Sequence, residues 1–364
     1  MKKRALMMLA VGLVFALAPV AASEAVDLMS LPSLREFYAE YFDFGSSLGS
    51  AEVKNTERLP FYTAQYAVIT PENALKPENV LDEYNSQKAS KTDQGNVALQ
   101  FRIVKPLLDY AKENHLKVHG HVLFWHQQTP DTFFRESYAR NKPYVSREVM
   151  LRRMENYVRI VMEYMDANYP GLVVSWDVVN EAIDDSTGKY RNSNYLQIVG
   201  EDFVLQAFRF ARMYAPEGAQ LYYNDYSVPY QPKLNGILSL LDDLMAEGLV
   251  DGCGLQCHYQ LNTPTTPQFQ AAIEKIAAKG LRIRVSEMDI LVNDNSDSQF
   301  EKQARRYQGL MKVLLQYADS VEAVQTWGTF DSLSWKSGNF PLLFNGDGTP
   351  KPAFYALIDP GILP

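Results

Sequence analysis

The chain reads as a single (β/α)8 barrel of the α/β class, and three observations point there. Eight short apolar, strand-like runs alternate with helical patterns in one unbroken series. No Gly-rich phosphate loop follows the first run, which argues against a doubly wound open sheet. With 364 residues, 46% of them hydrophobic, the chain can bury a large core, and α/β barrels commonly run past ~250 residues as one domain.

The elements follow in chain order. Met1, Lys2, Lys3 and Arg4 precede an apolar run over 5–19 that ends in Val20, Ala21, Ala22 and Ser23. A basic start, an apolar stretch short of the ~20 residues a membrane span needs, and small residues at the cleavage position predict a secretory signal peptide over 1–22. The expected product is an exported domain over 23–364, secreted or periplasmic, with no stable membrane association once the peptide is cleaved. Strands are predicted at 42–48, 67–70, 117–123, 173–180, 220–224, 252–258, 282–287 and 323–327. A helix over 146–168 is predicted from the stripe Met150, Met154, Tyr157, Val161 and Tyr164 behind a Ser146 N-cap. Phe300, Ala304, Tyr307, Met311 and Leu314 stripe a second helix over 298–317. No repeat or Pro/Ser-rich linker divides the mature chain, so one domain is expected.

Net charge is −8, from 35 Lys+Arg against 43 Asp+Glu, and no dense basic run carries interleaved aromatics. Nucleic acid is excluded as a partner class, and a neutral or weakly charged ligand is favoured. Cys253 and Cys257 are the only cysteines. In an extended strand, residues four apart lie ~13 Å apart, beyond the ~7 Å a disulfide tolerates, so both are read as buried free thiols facing the helix layer.

In a barrel, chemistry gathers at the C-terminal ends of strands. The predicted strands two to eight run into TPENALKPE, VHGHVLFWHQQTP, SWDVVNEA, LYYNDY, DGCGLQCH, VSEMDI and TWGTFDSLSW. These stretches hold the carboxylates Glu72, Glu181 and Glu287, and the amides Asn73, Asn180, Asn224 and Gln256. They also hold the imidazoles His121, His126 and His258 and the indoles Trp125, Trp327 and Trp335. Amides offer hydroxyl partners and indoles offer flat apolar faces, the two things a sugar ring requires. Two acids facing across a mouth can divide labour, one held protonated while the other is ionised, which is the requirement of glycoside cleavage. Asp177 and Asp289 are read as orienting groups, His121 and His258 as substrate hydrogen-bonding groups, and His126 as a packed, satisfied histidine. The H-x-H of His119 and His121 is also the pattern of a metal-dependent barrel hydrolase. Further nitrogen ligands at suitable positions are scarce, and no metal or other cofactor is expected.

Taken in register, these strand ends resemble glycoside hydrolase family 10, the endo-1,4-β-xylanases. The similarity runs from FDFGSSLG at Phe42 through PLLFNGDGTPKPAFYAL ending at Leu357, with D-V-V-N-E and W-H-x-Q-T-P as its most distinctive pieces. The resemblance implies a retaining double displacement on xylan and xylo-oligosaccharides, with Glu287 as nucleophile and Glu181 as acid/base. It implies that Asn180 holds the sugar 2-OH, and that Glu72, Asn73, Lys76, His121, Trp125, Gln256, His258, Trp327 and Trp335 bind substrate. Asp289 with His258, and Asn224, are the groups expected to orient the machinery. The chain departs from the family pattern at Pro77, where Trp is common, at His119, where Arg is frequent, and at Met288, where Leu is commoner. The expected enzyme is a monomer. Rival readings are the same mechanism on another β-1,4-glycan, a metal-dependent hydrolase, and a sugar-binding protein on an inactive barrel.

Overall fold

The computed structural model describes residues 26–363, so the expected signal peptide lies outside the described residues. Eight parallel strands form the barrel: β1 (Asp43–Leu48), β2 (Val68–Pro71), β3 (Lys117–Gly120), β4 (Val173–Asn180), β5 (Gln220–Asp225), β6 (Gly252–Leu255), β7 (Arg282–Leu291) and β8 (Val321–Thr326). Each pairs in parallel with its neighbour in sequence, and β8 pairs with β1 as well as β7, which closes the cylinder. Two short extensions, Phe124–Trp125 on β4 and His258–Gln260 on β7, continue the sheet at its C-terminal rim. The predicted (β/α)8 class is the observed one.

The helices form where their apolar stripes lie. The helix Arg147–Asn168 starts behind Ser146, whose hydroxyl accepts from the Val149 N–H at 3.4 Å. Its Met150, Met154, Tyr157 and Val161 are buried against the barrel, and Tyr164 is half-buried. The helix Asp297–Gln316 begins one residue before the predicted start and buries the full predicted stripe. Among the described residues no helix is long and apolar enough to cross a membrane.

Three strand predictions need correction, beginning with the seventh, which runs on to Leu291, four residues past its predicted end at Glu287. The third strand stops at Gly120, three residues short of the predicted end, and the chain re-enters the sheet only at Phe124. The sixth ends at Leu255, and Cys257 takes a left-handed backbone (φ 62°) before His258 resumes pairing. The 252–258 run is therefore two strands around a kink. Both thiols are nevertheless buried and unbonded. Burial pushes the Cys257 thiol up to about 12 and Cys253 higher still.

Below the mouth the barrel is polar as well as apolar. Arg284 donates to Gln325 Oε1 at 2.8 Å and to Ser175 Oγ at 3.1 Å, and Gln325 Nε2 donates to Thr70 Oγ1 at 2.8 Å. Every partner is buried, so the guanidinium is held by hydrogen bonds rather than solvent. Trp176 fills the space beside Gly120, where a Cβ would stand 2.2 Å from its Cε3.

Candidate active site

Strict alternation along a strand would place consecutive residues on opposite faces. Bulges break that rule at two strand ends. In β4, Asp177 pairs with Tyr222 and Val179 with Tyr223, so Val178 is an extra residue. Asp177 lies inside the barrel and, past the bulge, Asn180 points inward too. In β7, Val285 pairs with Val324 and Met288 with Thr326, an insertion of one residue that brings both Ser286 and Glu287 to the interior. Glu181 leaves β4 with φ 57°, a left-handed conformation that turns its carboxyl back over the mouth.

The two carboxylates are buried and joined through amides. Asn224 Nδ2 is shared between Glu287 Oε1 at 2.8 Å and Asn180 Oδ1 at 3.0 Å, while Ser286 Oγ donates to Asn224 Oδ1 at 2.7 Å. Gln256 Nε2 is shared between Asn180 Oδ1 at 3.1 Å and Glu181 Oε1 at 2.9 Å. With its oxygen engaged by both amides, Asn180 is fixed in orientation and turns its Nδ2 toward Glu181, 3.3 Å away.

Their charge environments differ. Glu287 Oε2 lies 3.1 Å from His258 Nε2, and the other ring nitrogen lies 3.0 Å from Asp289 Oδ2. Burial lowers the His258 imidazole, but the adjacent Asp289 and Glu287 carboxylates outweigh it and raise it to about 10. Burial likewise favours a protonated Glu287, but the His258 hydrogen bond and the imidazoles of His121 and His258 hold it below the usual carboxylate range. Asp289 also accepts from Trp335 Nε1 at 2.8 Å. Glu181 receives only amide donors among the described residues.

The remaining predicted residues stand around the pair. Trp327 is buried between His121 and His258, its ring centroid 5.4 Å and 6.4 Å from theirs, both edge-on. His121 Nδ1 is tied to Asp177 Oδ2 at 2.8 Å, which sets the ring with Nε2 away from that anchor. Lys76 is buried, donates to Asn73 Oδ1 at 2.8 Å and lies 5.0 Å from the Trp125 ring centre. Burial pushes its ammonium down and the Glu72 carboxyl up, each partly offset by the other's charge. Trp335 is 51% exposed and stands over His258, 4.9 Å between ring centres. An exposed indole anchored by its N–H offers an open face for stacking. All fourteen predicted site residues thus gather at one end of the barrel.

The reading of His126 as satisfied holds only in half: its Nε2 lies 3.4 Å from Gln127 Nε2, while its other ring nitrogen has no partner among the described residues. Burial lowers the imidazole to about 4, so it is neutral at ordinary pH. The H-x-H pair has its own occupant, since Asp177 Oδ2 lies 3.0 Å from His119 Nε2 as well as 2.8 Å from His121. Sequence reasoning passed over Gln128, which accepts from Lys76 Nζ at 2.7 Å and donates to Glu78 Oε1 at 2.6 Å. It stands in the W-H-x-Q-T-P run, so the signal was present. It also passed over Tyr223 and Arg191, whose hydrogen bonds to the backbone around Glu181 have no local sequence signature.

A closed parallel barrel carrying two buried carboxylates at its C-terminal mouth, wired together by amides and walled by indoles, is the arrangement of a glycoside hydrolase. The sequence profile of glycosyl hydrolase family 10 matches residues 33–360, and the chain belongs to that family. It is 36% identical over 330 residues to the bifunctional endo-1,4-β-xylanase XylA of Ruminococcus flavefaciens, covering 89% of this chain and 34% of that one. It is 34% identical over 336 residues to endo-1,4-β-xylanase B of Butyrivibrio fibrisolvens, covering 90% and 53%. The chain therefore spans between a third and about half of the length of these curated relatives. Among solved structures, the N-terminal CBM22-1 and GH10 modules of endo-1,4-β-D-xylanase 10B from Clostridium thermocellum, complexed with xylohexaose, superpose with a TM-score of 0.83 at 31% identity. That match covers 91% of this chain and 68% of the other.

Proposed function

We propose that this protein is an exported endo-1,4-β-xylanase that cleaves internal bonds of xylan with retention of configuration. The observation that carries the reading is the unequal pair of buried carboxylates: Glu287 bonded to a charged imidazole, Glu181 bonded only to amides. Glu287, kept ionised by His258, attacks the anomeric carbon and forms a covalent glycosyl-enzyme. Glu181 delivers a proton to the departing glycosidic oxygen, then takes one from the water that releases the sugar. Asn180, its oxygen already engaged, presents its N–H2 to the 2-OH of the sugar under attack, a bond that strengthens as positive charge develops. Glu72, Asn73, Lys76, His121, Trp125, Trp327 and Trp335 bind the glycone side, with Gln256 and His258 shared between binding and support. The relatives' printed activities support the substrate class, and the signal-peptide pattern read in residues 1–22 supports export. The enzyme acts as a monomer and needs no cofactor.

The test is reducing-sugar release from unbranched xylan and from carboxymethyl cellulose, with and without chelator, using Glu287→Ala as the blank. Release from xylan alone, indifferent to chelator and absent in the variant, is the expected result. Release mainly from the cellulose derivative overturns the substrate, loss on chelation overturns the metal-free chemistry, and no release from either returns the barrel to sugar binding.

A further inference from the structure

The backbone of Glu181 is left-handed, a conformation that a side chain bearing a Cβ disfavours. Something must hold it, and the carboxyl's own two amide contacts lie at its far end. The residue's N–H donates to Asn224 O at 2.9 Å and its carbonyl accepts from Arg191 Nε at 3.1 Å. The next two N–H groups, those of Ala182 and Ile183, both donate to a single atom, the Tyr223 hydroxyl, at 3.0 and 3.1 Å. That hydroxyl donates in turn to Asp225 Oδ2 at 2.5 Å. Two lone pairs and one proton are the whole capacity of a phenol oxygen, and all are used.

The group behind it is built with equal care. Tyr223, Asp225 and Lys233 are all fully buried. Lys233 Nζ lies 2.7 Å from Asp225 Oδ1 and 2.6 Å from Asp185 Oδ1, and so joins β5 to the loop that follows Glu181. The same ammonium stands 3.5 Å from the Tyr226 ring centre, and Tyr226 accepts from Arg191 Nη2 at 2.7 Å. Arg191 closes the circuit on the Glu181 carbonyl. The Tyr223 ring also packs in the apolar core, but its hydroxyl, Asp225 and Lys233 bring polar groups there, and a buried ammonium between two carboxylates is costly unless its geometry is specified.

We propose that Tyr223, oriented by Asp225 and Lys233, is the positioning residue for Glu181, holding the turn that aims its carboxyl at the leaving oxygen. The assignment rests on Glu181 being the acid/base. It touches no reacting atom, so its removal should damage proton delivery specifically rather than turnover in general.

The test compares Tyr223→Phe with wild type on two substrates, xylotetraose, whose leaving sugar needs a proton, and 2,4-dinitrophenyl β-xylobioside, whose leaving group does not. General acid catalysis contributes about 10² to 10⁴-fold, and a misaimed acid forfeits part of it, so kcat/KM on xylotetraose should fall by roughly 10 to 100-fold. The aryl glycoside should lose no more than about threefold, because its departure draws little on the acid. In a Glu181→Gln background the same change should cost nothing further on xylotetraose, since the group it positions is gone. Lys233→Met, which leaves the phenol in place, should show the same pattern more weakly, and it decides the matter if Tyr223→Phe does not fold. Equal losses on both substrates, no loss on either, or full additivity with Glu181→Gln overturns the assignment. A wild type inert toward both substrates overturns the glycosidase reading itself, and the assignment with it.

Discussion

His258→Gln isolates charge from shape at the proposed nucleophile. Glutamine can keep an N–H donor near the position of Nε2, 3.1 Å from Glu287 Oε2, but it carries no charge. Two unit charges at that separation attract by about 5 kcal/mol at an effective dielectric near 20. That is a ceiling, because the retained hydrogen bond keeps about 0.5–1.5 kcal/mol of it and the histidine side chain is 17% exposed, so solvent screens the pair. Loss of an opposite charge at such range typically moves a carboxyl by about 1 to 3 pH units. The acid limb of kcat/KM on xylo-oligosaccharides should therefore rise by about that much in the variant, with activity recovering toward wild type as pH increases. Stability gives a second reading. The His258 imidazole is raised in the folded protein, so its contribution is fully present below its unfolded value, ~6.5, and is lost as pH rises through about 10. Urea midpoints of wild type should fall between pH 7 and 10, whereas those of the variant should be lower at pH 7 and flatter across the range. An acid limb that stays in place while activity drops equally at every pH would refute the electrostatic role and leave His258 a spacer.

Glu181→Ala should lower kcat/KM on xylotetraose far more than on 2,4-dinitrophenyl xylobioside, and equal losses of kcat/KM would remove it from the acid role. In the native protein both thiols should label slowly with a disulfide reagent and rapidly in urea, because they are buried and pushed up in pKa; fast native labelling of either contradicts its placement. Gly120→Ala sets a methyl 2.2 Å from the Trp176 ring, and should lower stability by about 1–3 kcal/mol in denaturant titration, an unchanged midpoint counting against the packing of that layer.

Much of this protein is legible as pattern. The run 173–180 is rich in Val and Trp, lies just after Gly171 and Leu172 and ends before Glu181, and it is a strand over the same residues. The stripe from Met150 to Val161 is a helix face with its cap where Ser146 stands. Glu181, Glu287 and the amides between them are conspicuous because each follows a buried run, where an ordinary loop would carry Gly or Ser. Those signals are local, and composition and spacing transmit them without help from the rest of the chain. The resemblance to a known family then attached roles to the same positions.

Other features depend on what lies across the sheet. By alternation alone Ser286 and Glu287 belong on opposite faces; they share one because β8 imposes a register in which β7 carries an extra residue. The same holds for Asp177 and Asn180 across from β5. Nothing near Cys257 announces a left-handed residue, and the predicted straight strand failed there. Nothing in YYND reveals that Tyr223 reaches across to the two amides after Glu181, or that Lys233 is a buried cation rather than a solvated one. The sequence by itself determined which segments are strands and helices and which of their ends carry chemistry, because periodicity and composition are properties of neighbouring residues. The tertiary structure alone decided the aim and ionisation of those groups, because register, burial and long-range hydrogen bonds arise only when distant strands meet.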